Sequence, residues 1–474
     1  MAIKARAGLL SRAVAGAAVL AAAALLAWPS GDPAPFQAGA LLVFAVGLWA
    51  SGALPVYVTA VGFFLGAVLL AIAPAPVVFS GFASTAFWLV FGGLIVGLAV
   101  ERTGLGRRLA GALVQAFAGS YLRVVVGVVL VGLVLAFLMP STMGRVIVLV
   151  PIVAALADRL GYPPGTRGRD GIVMATALGT FMPAAAILPA NVANMVMTGA
   201  AETLYGVHVR YMEYLVLHFP VLGLLKTGLV VAVVWLLYRD PAARPPAAPD
   251  AAAPDASRAN CAPPRAWTRD ERLLAVVLVL TLIAWALDSW HGLSPAWVAL
   301  ATGFLCLLPG IALVPAEDFE RKMNWGSLVY VAGILGLAAV VDHAGLGRVL
   351  ADALVTATGL EQDAPARNFA ALVAVGTLLS MATTIGGLPG VLSPLAEGVA
   401  LASGLPLKTV LMTQVLGFST VILPYQLPPL VVAMQLGGVS ASSGARATLA
   451  LAAITLAALM SLNFFWWRML GYLG

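Results

Sequence analysis

The chain has 474 residues, of which 61% are hydrophobic and only 10% are charged. Soluble globular proteins carry about 25% charged residues, so this composition excludes a fold with a fully solvated surface. At about 20 residues per span, the chain has room for roughly ten to twelve membrane spans. The net charge of +6 is interpreted as anchoring charge at the cytoplasmic face, and no nucleic-acid partner is expected.

The first apolar segment, 13–28, follows Lys4, Arg6 and Arg12, a pattern that also fits a signal peptide. Because many apolar runs follow, it is interpreted as an uncleaved first span. Seven further apolar runs follow before the composition changes at residue 239. They are 36–52, 55–73, 85–101, 122–139, 145–157, 171–200 and 214–238.

Residues 239–272 are rich in Pro, Ala and Arg, and they predict a disordered cytoplasmic linker. Apolar runs resume at 273–288, 292–314, 324–342, 368–381, 391–403, 407–436 and 445–467. The chain is therefore divided into an N-terminal span and flank (1–35), a first repeat (36–238), the linker (239–272) and a second repeat (273–474).

The basic residues predict the orientation of the chain. With an inside N-terminus and two re-entrant hairpins, 19 of the 26 Lys and Arg residues fall inside and 5 fall outside. The remaining two, Arg145 and Lys226, lie within apolar stretches. This asymmetry is typical of the positive-inside rule. It predicts a multi-pass protein of the inner (plasma) membrane with a cytoplasmic N-terminus and an outside C-terminus.

The two halves share a motif. Gly-Leu-Gly-Arg occurs at 104–107 and at 345–348, an offset of 241 residues, after a Gly-rich span and before an amphipathic stretch in each case. The charge count places one copy inside and the other outside, which makes the repeats inverted. Inverted repeats are typical of secondary transporters, whose substrates bind near the midplane where broken helices meet.

Each amphipathic stretch is followed by an apolar segment that is interrupted by small polar residues, around Ser141 in the first half and Thr384 in the second. Each segment is interpreted as a re-entrant helical hairpin, whose tip must line protein or a wet cavity. The next span in each half contains prolines, at 183 and 189 and at 424, 428 and 429, which predict broken helices.

From about Phe36 onwards, except for the linker, the chain resembles the divalent anion/sodium symporter family. The likeness is firmest in 88–110 and its copy 331–354. The resemblance implies an all-α polytopic fold of about eleven spans plus two re-entrant hairpins, arranged as an elevator-type homodimer. It also implies sodium-coupled transport of dicarboxylate or sulfate.

The motifs of that family are partly retained. Its Ser-Asn-Thr tip corresponds here to Ser-Thr-Met at 141–143 and to Thr-Ile-Gly at 384–386. Its Thr-Pro-Pro-Asn motif corresponds to 188–191, which keeps Asn191, and to 427–430, which keeps Pro428. Because asparagines are missing from both tips, sodium dependence is expected to be weaker than in the family pattern or limited to one half-site.

The expected substrate site combines hydroxyls, helix breaks and one cation. Its residues are Ser141, Thr142, Arg145, Asn191, Thr383, Thr384 and Pro428. The expected sodium ligands are Ser141, Asn191, Thr383 and Thr384, with sodium as the coupling ion and no other cofactor. Hydroxyl and carbonyl oxygens suit a hard cation, whereas helix N-termini favour anions.

Three charged residues inside apolar stretches have open interpretations. Arg145 suits a carboxylate or sulfate, but it could also snorkel or pair with Glu397. Lys226 could pair with substrate or with a carbonyl, but it is expected to snorkel towards the interface. Glu397 is either an ion or proton site or the partner of Arg145.

The leading hypothesis is a sodium-coupled secondary active carrier of small divalent anions, embedded in the bilayer. A sodium-independent exchanger or a proton-coupled carrier of the same fold is the alternative, and a channel is a weaker one. An enzyme is not expected, because the sequence has no His-Glu-x-x-His motif and no plausible pair of membrane aspartates. A primary pump is not expected, because no phosphate-binding loop is present.

Overall fold

The computed structural model describes residues 2–27, 33–117, 120–139, 141–240 and 266–473, without the side chains of 2–10, 113–116 and 384. Within these ranges every regular element is a helix and none is a strand. The all-α part of the predicted fold is therefore confirmed.

The first half ends at Tyr238, and its last span is interrupted by a π-helical segment, Phe219–Leu225. Its α-helices are α1 (Ala2–Leu26), α2 (Pro33–Ser51), α3 (Val56–Leu69), α4 (Ala75–Val78), α5 (Ser80–Ala83), α6 (Thr85–Thr103), α7 (Leu105–Ala116), α8 (Tyr121–Leu138), α9 (Thr142–Arg159), α10 (Arg167–Phe181), α11 (Val192–Tyr205), α12 (Tyr211–His218) and α13 (Lys226–Tyr238).

The second half also contains a π-helical segment, Thr455–Leu459, in its last span. Its α-helices are α14 (Arg269–Ala286), α15 (Asp288–His291), α16 (Pro295–Leu307), α17 (Ala316–Lys322), α18 (Trp325–His343), α19 (Leu346–Thr358), α20 (Pro365–Leu392), α21 (Ala396–Ser403), α22 (Leu407–Phe418), α23 (Pro428–Gly437), α24 (Ala441–Ile454) and α25 (Met460–Met469).

The described part contains eight helices that are long and apolar enough to cross a membrane, together with shorter apolar helices. The protein is therefore a multi-pass membrane protein. The division into eleven spans stays a prediction.

Helix α14 begins at Arg269, inside the predicted linker, because Thr268 and Glu271 form a capping box there. The linker thus ends earlier than predicted, and residues 241–265 lie outside the described part.

The two halves interlock through small residues. Helix α6 packs on α16, and a Cβ added at Gly92 would overlap the backbone of Ala299. Helix α18 packs on α3, and a Cβ added at Gly333 would lie 2.6 Å from the Cβ of Ala60. Gly92 and Gly333 are separated by the same 241 residues as the two Gly-Leu-Gly-Arg copies. Equivalent glycines therefore make equivalent contacts, each with the opposite half.

A second pair of contacts repeats within the halves. A Cβ added at Gly132 of α8 would lie 2.7 Å from the carbonyl carbon of Gly179 in α10. A Cβ added at Gly417 of α22 would lie 2.8 Å from the carbonyl carbon of Gly376 in α20. In both halves, the first arm of the predicted hairpin thus touches the following span backbone to backbone.

The two ends of each predicted hairpin contact each other, and the re-entrant placement of both hairpins stays a prediction. At the base of the first, the rings of Tyr121 and Tyr162 have centroids 5.5 Å apart. At the base of the second, Asn368 Nδ2 donates to the carbonyl of Ser403 at 3.0 Å. A Cβ at Gly376 would lie 3.8 Å from Leu388, so α20 reverses between these two residues.

The two tips differ in local structure. The first hairpin is interrupted between α8 and α9, as predicted, and Ser141 caps α9. The second has no such interruption at Thr384, because helical structure extends from Pro365 to Leu392 through the reversal. The predicted non-helical break at Thr384 is therefore wrong, although the chain turns in the predicted region.

Candidate functional site

The tip of the first hairpin is held by short-range hydrogen bonds. The hydroxyl of Ser141 accepts from the backbone N–H of Gly144 at 3.1 Å, which caps α9. Thr142 is buried, and its hydroxyl accepts from Arg145 at 3.0 Å. The N-terminus of α9 thus points its unpaired N–H groups at this tip, which favours an anion.

The first helix break lies directly behind this tip. Helix α10 ends at Phe181, and two 3₁₀ turns lead to Asn191, whose side chain caps α11 at 3.2 Å from Ala193 N. The Nδ2 of Asn191 is buried and has no hydrogen-bond partner. A buried amide without a partner is costly, so this group is available to a bound ligand or water.

A second asparagine, which the sequence did not single out, stabilises the same break. Asn194 Nδ2 donates to the carbonyls of Ala184 at 3.1 Å and Ile187 at 2.9 Å. Its only sequence signal is its place one helical turn after the break. Each of these carbonyls also accepts one backbone N–H within the 3₁₀ turns, from Ile187 and Ala190 respectively. The asparagine therefore bridges the two turns and fixes the loop.

Arg145 is fully buried at the junction of the tip and the break. Its Nη1 donates to the carbonyl of Met139. Its Nη2 faces Thr142 Oγ1 and the carbonyl of Thr180, both at 3.0 Å, and the carbonyl of Ala190 at 3.3 Å. The guanidinium therefore joins the hairpin tip to both sides of the broken span.

Among the described residues, no carboxylate forms an ion pair with Arg145. The proposed partner Glu397 is exposed and lines a surface cavity with Asp342 and Arg348. Pairing of Arg145 with Glu397 is therefore wrong, and so is snorkelling, because the guanidinium is enclosed. Its role as a substrate ligand stays a prediction.

The second hairpin and the second break are joined by a glutamine network. Gln426 Nε2 donates to Ser380 Oγ at 3.0 Å, and its Oε1 accepts from the backbone of Ile422 and Leu423 at 2.8 and 2.7 Å. Tyr425 Oη donates to the carbonyl of Met381 at 2.9 Å. Gln426 has the same function here that Asn194 has in the first break.

The predicted site residues of the second half lie around this network. Thr383 is buried in the reversal, and its hydroxyl donates to the carbonyl of Leu379 at 2.9 Å. The side chain of Thr384 lies outside the described part. Pro428 is exposed and begins α23, so the N-terminus of that helix is at the second break. The described contacts place these residues around one break, and those of the first half around the other.

Lys226 is the site residue that the sequence misplaced. It is 1% exposed, and its Nζ donates to the carbonyl of Ser419 at 2.7 Å and lies 3.4 Å from its hydroxyl. Ser419 follows the last helical residue of α22, at the second break. The prediction that Lys226 snorkels is therefore wrong, and the structure shows the alternative, pairing with a carbonyl. The preceding π-helical segment rotates the helix and turns this side chain inward.

The span that carries Lys226 contacts both breaks. Tyr214 Oη donates to the carbonyl of Ala185 in the first break at 2.7 Å, while Lys226 reaches Ser419 in the second. These two residues are 12 positions apart, or about 18 Å along a helix. This span therefore links the two breaks, and α23 after the second break packs on α9 and α10 of the first half.

Broken helices that place carbonyls, helix N-termini and buried cations without carboxylate partners inside a multi-pass bundle are typical of the class of secondary transporters. Residues 7–473 match the family model described as the sodium:sulfate symporter transmembrane region. The chain belongs to this family, which confirms the resemblance seen in the sequence.

Two relatives show the range of similarity. A membrane protein of Cupriavidus necator is 25% identical over 400 residues, covering 83% of this chain and 76% of the relative. The L-tartrate/succinate antiporter of Escherichia coli is 24% identical over 370 residues, covering 74% and 72%.

Solved structures support the fold alone. The YdaH transporter of Alcanivorax borkumensis superposes with a TM-score of 0.55 at 19% identity, covering 83% of this chain and 87% of that one. MtrF of Neisseria gonorrhoeae superposes with a TM-score of 0.57 at 18% identity, covering 82% of each chain.

Proposed function

We propose that the protein exchanges small divalent anions of the dicarboxylate class across the membrane by alternating access. The L-tartrate/succinate antiporter is joined by a citrate/succinate antiporter of Escherichia coli, 24% identical, and a putative malate transporter of Bacillus subtilis, 22% identical. This chain spans about half the length of these last two relatives, so their names support the class of substrate only.

The observation that carries the proposal is the pair of buried cations. Arg145 and Lys226 each donate to break carbonyls, and among the described residues neither has a carboxylate within ion-pair distance. Uncompensated charge inside a membrane protein is costly. A dianion between the breaks compensates both charges, and an empty site leaves them uncompensated. Exchange of one dianion for another avoids the empty state.

The ligands of the anion are proposed to be the predicted residues. Ser141, Thr142 and the N-terminus of α9 face it from the first hairpin, and the free Nδ2 of Asn191 faces it from the first break. Thr383, Thr384 and Pro428 face it from the second half. In this arrangement Arg145 acts mainly through its positive potential, because Nη1 and Nη2 already donate within the protein, while its buried Nε has no partner.

The architecture proposed for this cycle is the predicted one. The equivalent glycine contacts and the folded-back hairpins support two repeats and two re-entrant hairpins. The charge count supports inverted repeats and a cytoplasmic N-terminus. An elevator-type motion in a homodimer remains part of the proposal.

Sodium symport is the second candidate, favoured by the description of the family model. Its ligands are Ser141, Asn191, Thr383 and Thr384 with nearby carbonyls. The observation against it is that Arg145 and Lys226 already occupy break carbonyls, which are the hard oxygen ligands a sodium ion requires.

Purified protein in proteoliposomes separates these candidates. Vesicles loaded with unlabelled succinate are given labelled succinate, malate, tartrate, citrate or sulfate, in sodium or in choline. We expect saturable uptake that requires internal anion and is equal in both salts. Uptake into anion-free vesicles that needs a sodium gradient would support symport, uptake that follows a pH gradient would support proton coupling, and uptake without saturation or trans-stimulation would indicate a channel.

A further inference from the structure

Two cavities lie at equivalent positions of the two halves. The first, of about 540 Å³, is lined by Glu101, Arg102, Arg107, Met139 and Lys322, and is called the basic vestibule. The second, of about 560 Å³, is lined by Tyr205, Asp342, His343, Arg348 and Glu397, and is called the acidic vestibule. Glu101 and Asp342 are 241 residues apart, as are Arg107 and Arg348. The internal repeat therefore generates both cavities.

The two vestibules open at opposite ends of the bundle. The basic vestibule lies at the C-terminal end of α6. A third cavity, of about 500 Å³, includes Thr85 at the N-terminal end of the same helix, about 27 Å away. That cavity also contains Glu202 of α11, and Tyr205 of the same helix end lines the acidic vestibule. The acidic vestibule and the third cavity therefore share one face.

The cavities differ in charge. The basic vestibule has three cations against Glu101, and it stays positive when Asp318, which pairs with Arg102 and Lys322, is counted. Arg107 is exposed and forms no ion pair with a described residue. The acidic vestibule has two carboxylates against Arg348, beside His343.

The third cavity adds to the same asymmetry. Glu202 and Asp288 line it together with Arg210 and His208, and His208 lies 3.5 Å from Glu202. With neutral histidines, both cavities on this face carry a net negative charge. An approaching dianion is thus attracted on one face and repelled on the other.

The basic vestibule ends close to the proposed site. Met139 lies at its inner end, and the carbonyl of Met139 accepts from Arg145. The Met139 side chain is buried, and its sulfur would lie 3.6 Å from a Cβ at Gly106. This side chain therefore separates the vestibule from the buried guanidinium.

We propose that the basic vestibule captures the dianion and gives the carrier a lower KM on that face than on the opposite one. The inference rests on the proposed exchange of dianions and adds a sidedness to it. By the charge count, the basic vestibule faces the cytoplasm. A difference of about two charges near a dianion, screened at 0.1 M salt, corresponds to about three- to tenfold in KM.

The test measures succinate exchange in inside-out and right-side-out membrane vesicles. We expect a lower KM at the cytoplasmic face, with a ratio that falls towards one at 0.5 M salt. Arg107→Gln should raise the cytoplasmic KM about two- to threefold and leave the other face unchanged. Glu397→Gln should lower the KM of the opposite face. Arg123→Gln, an exposed arginine outside these cavities, is the matched control and should change neither.

Equal KM values on both faces, with exchange present, would overturn the vestibule proposal alone. The absence of any dianion exchange in the wild type would instead overturn the proposed function. If Arg107→Gln lowers the maximal rate or the membrane yield with an unchanged KM, Arg107 is an anchor for lipid headgroups, and the proposal is wrong.

Discussion

Arg145 and Lys226 are buried, and each donates hydrogen bonds to backbone carbonyls at one of the two helix breaks. The planar guanidinium of Arg145 reaches acceptors on the tip and on both sides of the first break. The single ammonium of Lys226 reaches one residue, Ser419, at the second break. Arg145 therefore stabilises more contacts between elements than Lys226 does, although each places a positive charge at a helix break.

Arg145→Ala is expected to abolish exchange and to lower the melting temperature of the detergent-purified protein by several degrees. The reason is that each buried acceptor left without a donor costs about 1–3 kcal/mol. Arg145→Lys should recover only part of the stability, because one ammonium cannot reach all the acceptors. Thermal unfolding followed by fluorescence measures this, and an unchanged melting temperature in Arg145→Ala would contradict a joining role.

Lys226→Met is expected to lower the apparent affinity for dianions about tenfold, which corresponds to about 1.4 kcal/mol. Removing one buried charge weakens the attraction for the anion, while Met retains most of the side-chain volume. Counterflow kinetics give the affinity. Lys408→Met is the matched control, because Lys408 is half-buried and pairs with Glu213 at 2.6 Å, and it should leave the affinity unchanged. If both variants change the affinity equally, Lys226 does not contribute to anion binding.

The sequence alone identifies Arg145 as important, but it does not identify the roles of Lys226 and Asn194. Arg145 was identified because a charge in an apolar stretch next to a tip motif is unusual. Lys226 was assigned to the interface because its partner, Ser419, is 193 residues away and the π-helical segment that redirects it leaves no clear local pattern. Asn194 was missed for a related reason, since its acceptors are carbonyls that only the folded break exposes.

At the scale of elements, the close approach of each hairpin to its broken span depends on paired glycines. A Cβ added at Gly179 would lie 2.8 Å from Val129 Cα, and one at Gly417 would lie 2.8 Å from Gly376 Cα. Both distances are too short, and backbone atoms cannot move aside as a flexible side chain can. The two halves thus share the same steric requirement.

Gly179→Ala and Gly417→Ala are expected to destabilise the protein by about 1–3 kcal/mol each, because overpacking displaces backbone. Gly97→Ala and Gly228→Ala are the controls, since a Cβ at either position meets nothing within 4 Å. These two should be neutral or slightly stabilising, because Ala favours helix over Gly. Thermal unfolding of the four purified variants is the measurement, and equal melting temperatures would show that the glycine contacts are not limiting.

The elements themselves could largely be predicted. The Leu-Gly pairs at 178–179 and 416–417 and the prolines after them correctly indicated two equivalent broken spans. The reversal of the second hairpin was placed correctly, but its local structure was not. Gly386 and Gly387 follow Thr384 closely, yet helical structure extends through the turn. A pattern of small polar residues predicts that the chain turns, without predicting how.

At the scale of the whole molecule, the proposed inverted repeat relates two faces of the protein as well as two halves of the chain. The copies of Gly-Leu-Gly-Arg supply Arg107 and Arg348 to cavities at opposite ends of the bundle. The offset of 241 residues predicted the repeat, and the charge count predicted opposite sides. The difference in charge between the vestibules was not predicted, because it depends on residues that only the packing of distant helices brings together.

Efflux of labelled succinate from preloaded proteoliposomes tests the central claim most directly, because it asks whether the empty carrier can return. If a dianion compensates Arg145 and Lys226, wild-type protein should release label only when the external buffer contains a transported dianion. Addition of sodium alone should have no effect. Equally fast efflux into anion-free choline buffer would contradict the account, because the carrier would then cross the membrane with both buried charges uncompensated.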